Sequence, residues 1–383
     1  MNIAFDAKRA FTNGTGLGHY SRTLISSLAM YFPNENYFPC TPLLTDRFDV
    51  SAFNNIHIIS PATFSTRSFR KLWRSSLVKS DLQKNNIDVF HGLSHEIPAG
   101  INKTNMKSIV TMHDLIFERF PLQYHLIDRK IYRYKFQYAC KNADKIIAIS
   151  EQTKNDLIGF YKVPENKIAV CYQSCDERFF KTVDDAEKLR IKNVYGLPDR
   201  FFLYTGSIIE RKNLMVICKA LDILKNSFQI PLVVIGDGGT YKKEVKKFLH
   251  EKNLLDNVLF LSEQASTCHL PGYTMATDFP AIYQQAECMI YPSLFEGFGI
   301  PVLEALCSKI PVITSGVSSM PEAGGDGALY IEPNDFEILA LFMEQIIEDK
   351  PLRNTLVEKG WAHAQKFSAE KCATTVMNEY MKL

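Results

Sequence analysis

Residues 291–305 read Tyr-Pro-Ser-Leu-Phe-Glu-Gly-Phe-Gly-Ile-Pro-Val-Leu-Glu-Ala: an apolar strand, a loop bearing two glycines, then a helix. The chemistry that this order can do is anion binding. Gly297 and Gly299 have no Cβ, so the backbone there can approach a ligand closely. The first turn of the following helix leaves its amides unpaired and carries partial positive charge, which suits a diphosphate. Pro301 fits that turn because it needs no amide partner there. Glu296 in the loop and Glu304 a little over two helical turns later are hydroxyl acceptors for the two ends of such a ligand. A sugar on one side of the phosphates and a ribose on the other makes that ligand a nucleotide sugar. For the two glutamates alone, a helix-capping role for Glu296 and a solvated Glu304 is the competing reading.

The whole string resembles the Pro-Ser-x-x-Glu-Gly-Phe-Gly-x-Pro-x-x-Glu-Ala motif of the family 4 retaining glycosyltransferases. The resemblance implies an α/β chain of the GT-B fold, with two facing Rossmann-like parallel-sheet domains and a cleft between them. It covers most of the chain and is strongest from about residue 200 to 333. It implies that Glu296 is catalytic and that Gly297, Phe298, Gly299, Ile300 and Glu304 bind the donor. Residues 204–214, Tyr-Thr-Gly-Ser-Ile-Ile-Glu-Arg-Lys-Asn-Leu, resemble the strand and loop that bring basic residues to the donor diphosphate. Arg211 and Lys212 are the implied catalytic cations, since a preorganised cation beside a departing diphosphate lowers the barrier as negative charge develops. Ser207, a donor-binding candidate, stands where many relatives carry arginine, so one of two usual cations is missing and Arg211 is its candidate substitute.

In the first half, residues 13–21 read Asn-Gly-Thr-Gly-Leu-Gly-His-Tyr-Ser and resemble the family's N-terminal Gly-rich loop. Gly16 and Gly18 are the donor-binding candidates in it; they open a helix N-terminus suited to a phosphate or an acceptor. The spacing is not the Gly-x-Gly-x-x-Gly of dinucleotide binders. His113 ends a strand in a His-Asp pair, and the resemblance implies that it meets the transferred sugar through its ring or neighbouring backbone. Asp114 reads as a helix cap or orienting partner. His91-Gly92 and His95-Glu96 end another strand and are open to acceptor contact or to a structural role. Gly236, in Gly236-Asp237-Gly238-Gly239, resembles a strand-ending glycine bordering the nucleotide. Residues 321–328 match a family turn and read as turn chemistry. Residues 264–278 are longer than the usual connection and cover the nucleotide, meet a partner, or form an inert excursion.

The implied reaction moves a hexose, with mannose the candidate, from a nucleoside diphosphate sugar to a hydroxyl acceptor with retention at the anomeric carbon. A lipid-linked or surface-polysaccharide glycan is the expected acceptor. No cofactor and no metal are expected: the sequence has no Asp-x-Asp, and helix dipoles with Arg211 and Lys212 take the place of a cation clamp. Front-face displacement is the expected route, with a covalent intermediate through Glu296 as its alternative. Other readings are a GT-B epimerase or phosphorylase and a non-catalytic nucleotide-sugar-binding protein. A nicotinamide oxidoreductase is disfavoured by the missing fingerprint.

These residues need a scaffold, and the sequence supplies one. Short β-branched and aromatic runs alternate with helical periods, the pattern of parallel βα units. The runs fall at 3–6, 37–44, 56–59, 88–92, 108–113, 145–150 and 168–172. They resume at 201–206, 232–236, 258–261, 288–292 and 312–315. From residue 335 onward the spacing is helical, with no strand signal after Tyr330-Ile331. We therefore expect an acceptor-side domain over 1–180, a donor domain over 181–365, and a last helix over 366–383 that packs back on the first domain. The charged stretch 173–200 supplies a linker and a solvated helix.

Composition narrows the setting. With 383 residues, 46% hydrophobic and 22% charged, the chain buries cores and is not disordered. Nine cysteines without a C-x-x-C pair predict neither disulfides nor zinc, which fits a reducing cytoplasm. The N-terminal residues lack the build of a signal peptide and no apolar run reaches about 18 residues. Residues 1–180 hold 23 Lys and Arg against 16 Asp and Glu, and 181–383 hold 21 against 26. The basic half is open to an anionic partner such as phosphate, nucleic acid or lipid head groups, or to an ordinary solvated surface, which a modest excess more often means. Arg67, Arg70, Lys71, Arg74 and Lys79 within 67–82, and a similar mix over 129–141, read as basic helices on the inner face of an anionic membrane or as ordinary amphipathic helices. No nucleic-acid partner is expected.

Overall fold

The computed structural model describes residues 1–61 and 70–383, so Arg67 lies outside the described residues. The chain divides into two compact units, residues 1–175 with 367–383, and residues 176–366.

The first unit is built on β1 (Asn2–Asp6), β2 (Asn36–Cys40), β3 (Val89–Gly92), β4 (Lys107–Met112), β5 (Lys145–Ala148) and β6 (Ile168–Val170). They form one parallel sheet in the order β2-β1-β3-β4-β5-β6. Parallel strands need crossover helices, which bury both faces and make the strands continuously apolar. Neighbouring side chains accordingly sort to opposite faces. Ile3, Phe5, Val89 and Ile109 join Leu24, Ile25 and Leu28 of the helix Gly16–Tyr31 and Val376 and Met377 of the closing helix Ala369–Met381. Ala4, Phe90 and Val110 pack on the other side with Trp73 and Leu82.

The run 56–59 is not a strand of this sheet. Ile56 and Ile59 make only isolated parallel bridges to Tyr37 and Cys40. His57 N–H donates to the Tyr37 carbonyl and Ile59 N–H to that of Pro39, but Pro39 has no N–H to return to the ladder. The run 37–44 likewise stops at Cys40.

The second unit holds β7 (Phe202–Thr205), β8 (Leu232–Ile235), β9 (Val258–Phe260), β10 (Cys288–Tyr291), β11 (Val312–Ser315) and β12 (Ala328–Ile331). All pair in parallel, in the order β12-β11-β10-β7-β8-β9. The edge strand β12, of which the sequence reading marked only Tyr330-Ile331, follows a glycine-rich turn. Strand order reverses between β7 and β10. In open α/β sheets the crevice for ligands lies beyond the carboxyl ends of the strands at such a reversal.

Candidate active site

The loops leaving β7 and β10 flank that reversal, and they bring Arg211, Lys212 and Glu296 together. A 3-10 turn, Glu210–Lys212, presents the two cations, followed by Asn213 at φ +59°. Asn213 is buried and its side-chain amide donates to the Pro292 carbonyl, 3.3 Å away, tying the two loops. Arg211 Nη1 lies 2.8 Å and Lys212 Nζ 3.6 Å from Glu296 Oε1, with these side chains only 11–14% exposed. Lys212 also donates to the Tyr291 hydroxyl (2.6 Å), which donates to Glu296 (2.9 Å), and Arg211 donates to the Phe295 carbonyl. Burial raises the Glu296 pKa, but Lys212 and Arg211, with the Tyr291 and Ser293 hydroxyls, outweigh it and hold the carboxyl below its ordinary value. The carboxylate is therefore ionised, held against two cations.

Beyond Glu296 the loop is pinned by hydroxyls. Ser318 donates to the Glu296 carbonyl (2.8 Å) and Ser319 to the Phe298 carbonyl (2.8 Å). Phe298 is buried. Gly299 has φ +119°, and a Cβ there would come within 2.7 Å of Met320, so the turn into the helix Ile300–Cys307 requires glycine. Glu304 lies on that helix, where the Tyr283 hydroxyl donates to it (2.9 Å). Burial, with the Asp176 charge adding to it, pushes its carboxyl up to about 8 despite Tyr283, Lys212 and Arg178. The two glutamates of one motif thus occupy opposite protonation states near neutrality.

Gly236 stands at the end of β8 with φ +139°, and a Cβ there would fall 2.0 Å from the Gly206 carbonyl oxygen. Ser207 is exposed, and its carbonyl accepts from the Tyr204 hydroxyl (3.1 Å). Residues 264–278 fold over this end of the sheet. Gln264 donates to the Tyr195 carbonyl (3.1 Å), and the Tyr195 hydroxyl donates to Asp278 (2.9 Å). Tyr273 of the same segment reaches the Gly236 backbone through its hydroxyl.

The remaining candidates belong to the first unit. His113, just past β4, is 5% exposed and its Nε2 lies 2.8 Å from the Leu93 carbonyl. A carbonyl only accepts, so this nitrogen carries the proton. The His113 amide donates to His95 Nε2 (3.0 Å). Burial first and then His95 lower His113 to about 3; burial and then Arg9 do the same to His95. Tyr20 meets His113 edge-on at 4.6 Å, linking it to the helix that Gly16 and Gly18 open. A Cβ on Gly18 would lie 1.9 Å from the Asn13 carbonyl oxygen, whereas one on Gly16 would meet nothing within 4 Å. Asp114 accepts from the Ile116 amide (3.0 Å), closing the turn before a short helix. His91 bridges the Tyr380 hydroxyl (2.6 Å) and Thr111 (2.7 Å) inside the core. Arg74 joins Asp6 to Glu96, and Lys135 completes the chain of charges.

Several participants escaped the sequence reading. Tyr291 and Ser293 sit inside the motif, but nothing in their spacing reveals that both hydroxyls turn to Glu296. Tyr283, Asp176 and Arg178 reach Glu304 from distant sequence. Arg9, whose charge acts on His95, lies in the short helix Lys8–Thr12 after the first strand, and that place at a strand's carboxyl end is the signal that could have found it.

Residues 185–362 match the family described as glycosyl transferases group 1, and residues 40–178 that described as glycosyltransferase family 4. The chain is 26% identical to the O-antigen chain mannosyltransferase B of Escherichia coli, over all of both chains. Among solved structures it resembles a glycosyltransferase from Rickettsia africae ESF-5, with a TM-score of 0.75 at 18% identity, covering 100% of this chain and 98% of that one. It also resembles Anabaena Alr3699/HepE in complex with UDP-glucose, with a TM-score of 0.74 at 16% identity and full coverage of both. With one family match on each parallel-sheet unit, and the motif loops gathered where the second sheet reverses its order, the chain belongs to the family 4, group 1 glycosyltransferases of the GT-B fold.

Proposed function

We propose that the enzyme transfers a hexose, mannose in the first instance, from a nucleoside diphosphate sugar to a hydroxyl of a surface-polysaccharide glycan, with retention and without a metal ion. The observation that carries this is the Arg211–Lys212–Glu296 cluster at the strand reversal of the second sheet. The named function of the E. coli relative supports mannose and an O-antigen chain, and the UDP-glucose in the Anabaena structure supports a nucleotide-sugar donor.

In this reading the diphosphate sits at the N-terminal end of the helix Ile300–Cys307, where the positive end of the helix dipole and the cations of Arg211 and Lys212 receive it, the Val302 and Leu303 amides being turned to the Gly299 carbonyl. Glu304, protonated near neutrality, both donates to and accepts from nucleoside hydroxyls, and ionised Glu296 accepts from hexose hydroxyls. As the anomeric C–O bond to the diphosphate breaks, the acceptor oxygen bonds to the same face of that carbon. The acceptor proton passes to the departing phosphate oxygen, leaving a glycoside and a nucleoside diphosphate. His113 is neutral and its Nε2 proton is held by the Leu93 carbonyl, so this step asks no proton transfer of it.

Thermal shift with GDP, UDP, GDP-mannose and UDP-glucose tests the donor site. At least one should raise Tm, and Lys212→Ala and Glu304→Ala should each reduce that rise. Unaltered rises in both variants would reject the assignment. NMR of the product gives the anomeric outcome, and transfer that persists after dialysis against EDTA is expected of a metal-independent enzyme.

A further inference from the structure

The helix Leu126–Asn142 of the first unit is anchored by its C-terminal half, through Phe136, Ala139 and Cys140. With 3.6 residues per turn, the side opposite these three is centred on Ile127, Ile131 and Tyr134, spaced i, i+4, i+7. On a helix that covers a sheet, this outward line is ordinarily polar. Here Ile127 is 73% exposed, Ile131 46% and Tyr134 71%, with Leu126 beside them at 71%. The turn just before contributes Leu122 at 98%. These five exposed apolar side chains lie on one short stretch with a sixth, Tyr132, which packs on Phe117 and Phe136, and the helix's buried side is apolar as well.

The charges beside this line indicate what covers it. The helix carries Arg129, Lys130, Arg133, Lys135 and Lys141 against a single acid, Asp128. Glu118 holds Arg133 and Glu96 holds Lys135, whereas Lys130 and Lys141 make no ion pair among the described residues. By angle, Lys130 and Lys141 border the Ile127–Ile131–Tyr134 line on one side and Lys135 on the other. The centre of a protein–protein interface is depleted of charge, and such a partner would have to bring acids to both borders. An anionic bilayer offers an apolar layer directly beneath a continuous sheet of negative head groups, the complement of an apolar line between lysines. No helix of the described residues is long and apolar enough to cross a membrane, so the contact is one of lying in the interface.

We propose that Leu122 and the helix Leu126–Asn142 form a docking surface for an anionic lipid bilayer. Leu122, Leu126, Ile127, Ile131 and Tyr134 enter the boundary between head groups and acyl chains, and Lys130 and Lys141 meet the lipid phosphates. The surface lies within the first unit and does not rest on the donor assignment. Its consequence for a glycan acceptor carried on a lipid is that enzyme and acceptor share one plane.

The test is sedimentation of the full chain with phosphatidylcholine vesicles, with and without phosphatidylglycerol, at low and high salt. Partitioning should rise with phosphatidylglycerol and fall with salt. Lys130→Gln and Lys141→Gln should each lower it about fivefold. Ile127→Ser combined with Tyr134→Ser should lower it about tenfold or more. All these positions are exposed, so Tm and the donor-dependent thermal shift should stay unchanged, which separates this surface from the donor site. Absence of binding, equal binding to both vesicle types, or full binding by the variants overturns the proposal. So does a solution dimer, seen by ultracentrifugation, that Ile127→Ser with Tyr134→Ser dissociates, because a second copy would then be the occupant.

Discussion

A carboxylate as buried as Glu296 would ordinarily take up a proton, and what prevents this is the pair of cations within 3.6 Å and the hydroxyls that donate to it. The three charges are therefore one unit, and removing the anion they share leaves both cations to bear the cost of burial unpaired. Glu296→Ala should destabilise the second unit by roughly 3–5 kcal/mol, measurable as a fall in Tm, because two cations then face each other without an anion. Lys212→Met leaves Arg211 to balance Glu296, so its stability loss should be smaller and its effect should fall on turnover, a drop in kcat of about 10²–10³ if it receives the leaving diphosphate. Glu304 behaves in the opposite sense. Its folded carboxyl titrates at about 8 against an ordinary 4.5, so the folded state holds a proton that the unfolded chain has released between these values. Stability is fully present below pH 4.5 and is lost as pH rises through 8. Glu304→Gln should flatten the decline in Tm over that window. The sequence made both glutamates legible as a motif, but not their contrasting protonation: that depends on which way the nearby hydroxyls of Tyr291 and Tyr283 turn, on Lys212, which the pairing of β7 with β10 brings in, and on Asp176.

At the scale of elements, the ends of strands set the site's tolerance. Gly236 and Gly206 close on each other at the ends of β8 and β7, at φ +139° and +142°, with no room for a methyl group. Gly236→Ala should cost about 1–3 kcal/mol and abolish the donor-dependent rise in Tm, since the loop bearing Lys212 would be displaced. Gly16→Ala, by contrast, meets open space and should leave Tm unchanged or slightly higher. The sequence named both as glycines of one function, because composition records that a side chain is absent and not what would collide with it. In the first unit, His91, His95 and His113 stand at the ends of β3 and β4, each lowered by burial to about 3. Above pH 6.5 they cost nothing. As pH falls from 6.5 toward 3 the unfolded chain binds protons that the folded unit refuses, so stability drains away on the acid side. A pH series of melting curves should show this loss, eased in His95→Phe, whose ring can still stack on Phe136. Element types were readable because apolar runs and helical periods alternate so regularly. The edges were not: Pro39 interrupts one ladder, and β12 begins within residues that read as turn chemistry.

At the scale of the whole molecule, the first unit is discontinuous in sequence. Its sheet is covered on one face by the helix Gly16–Tyr31 and by the closing helix Ala369–Met381, whose Tyr380 hydroxyl meets His91 2.6 Å away. Tyr380→Phe should cost about 1–3 kcal/mol, because it strands a buried imidazole nitrogen. Removing residues 369–383 bares Leu24, Ile25 and Phe5, and limited proteolysis of that variant should degrade the first unit while a fragment near 176–366 survives. This arrangement also dictates an order of birth. The unit begun first by the ribosome is the one completed last, since its missing wall is translated only after the other unit has emerged entire. Throughout that delay a half-clad sheet waits in the cell, so slow decoding between codons 176 and 366 would lengthen its dependence on chaperones rather than help it fold.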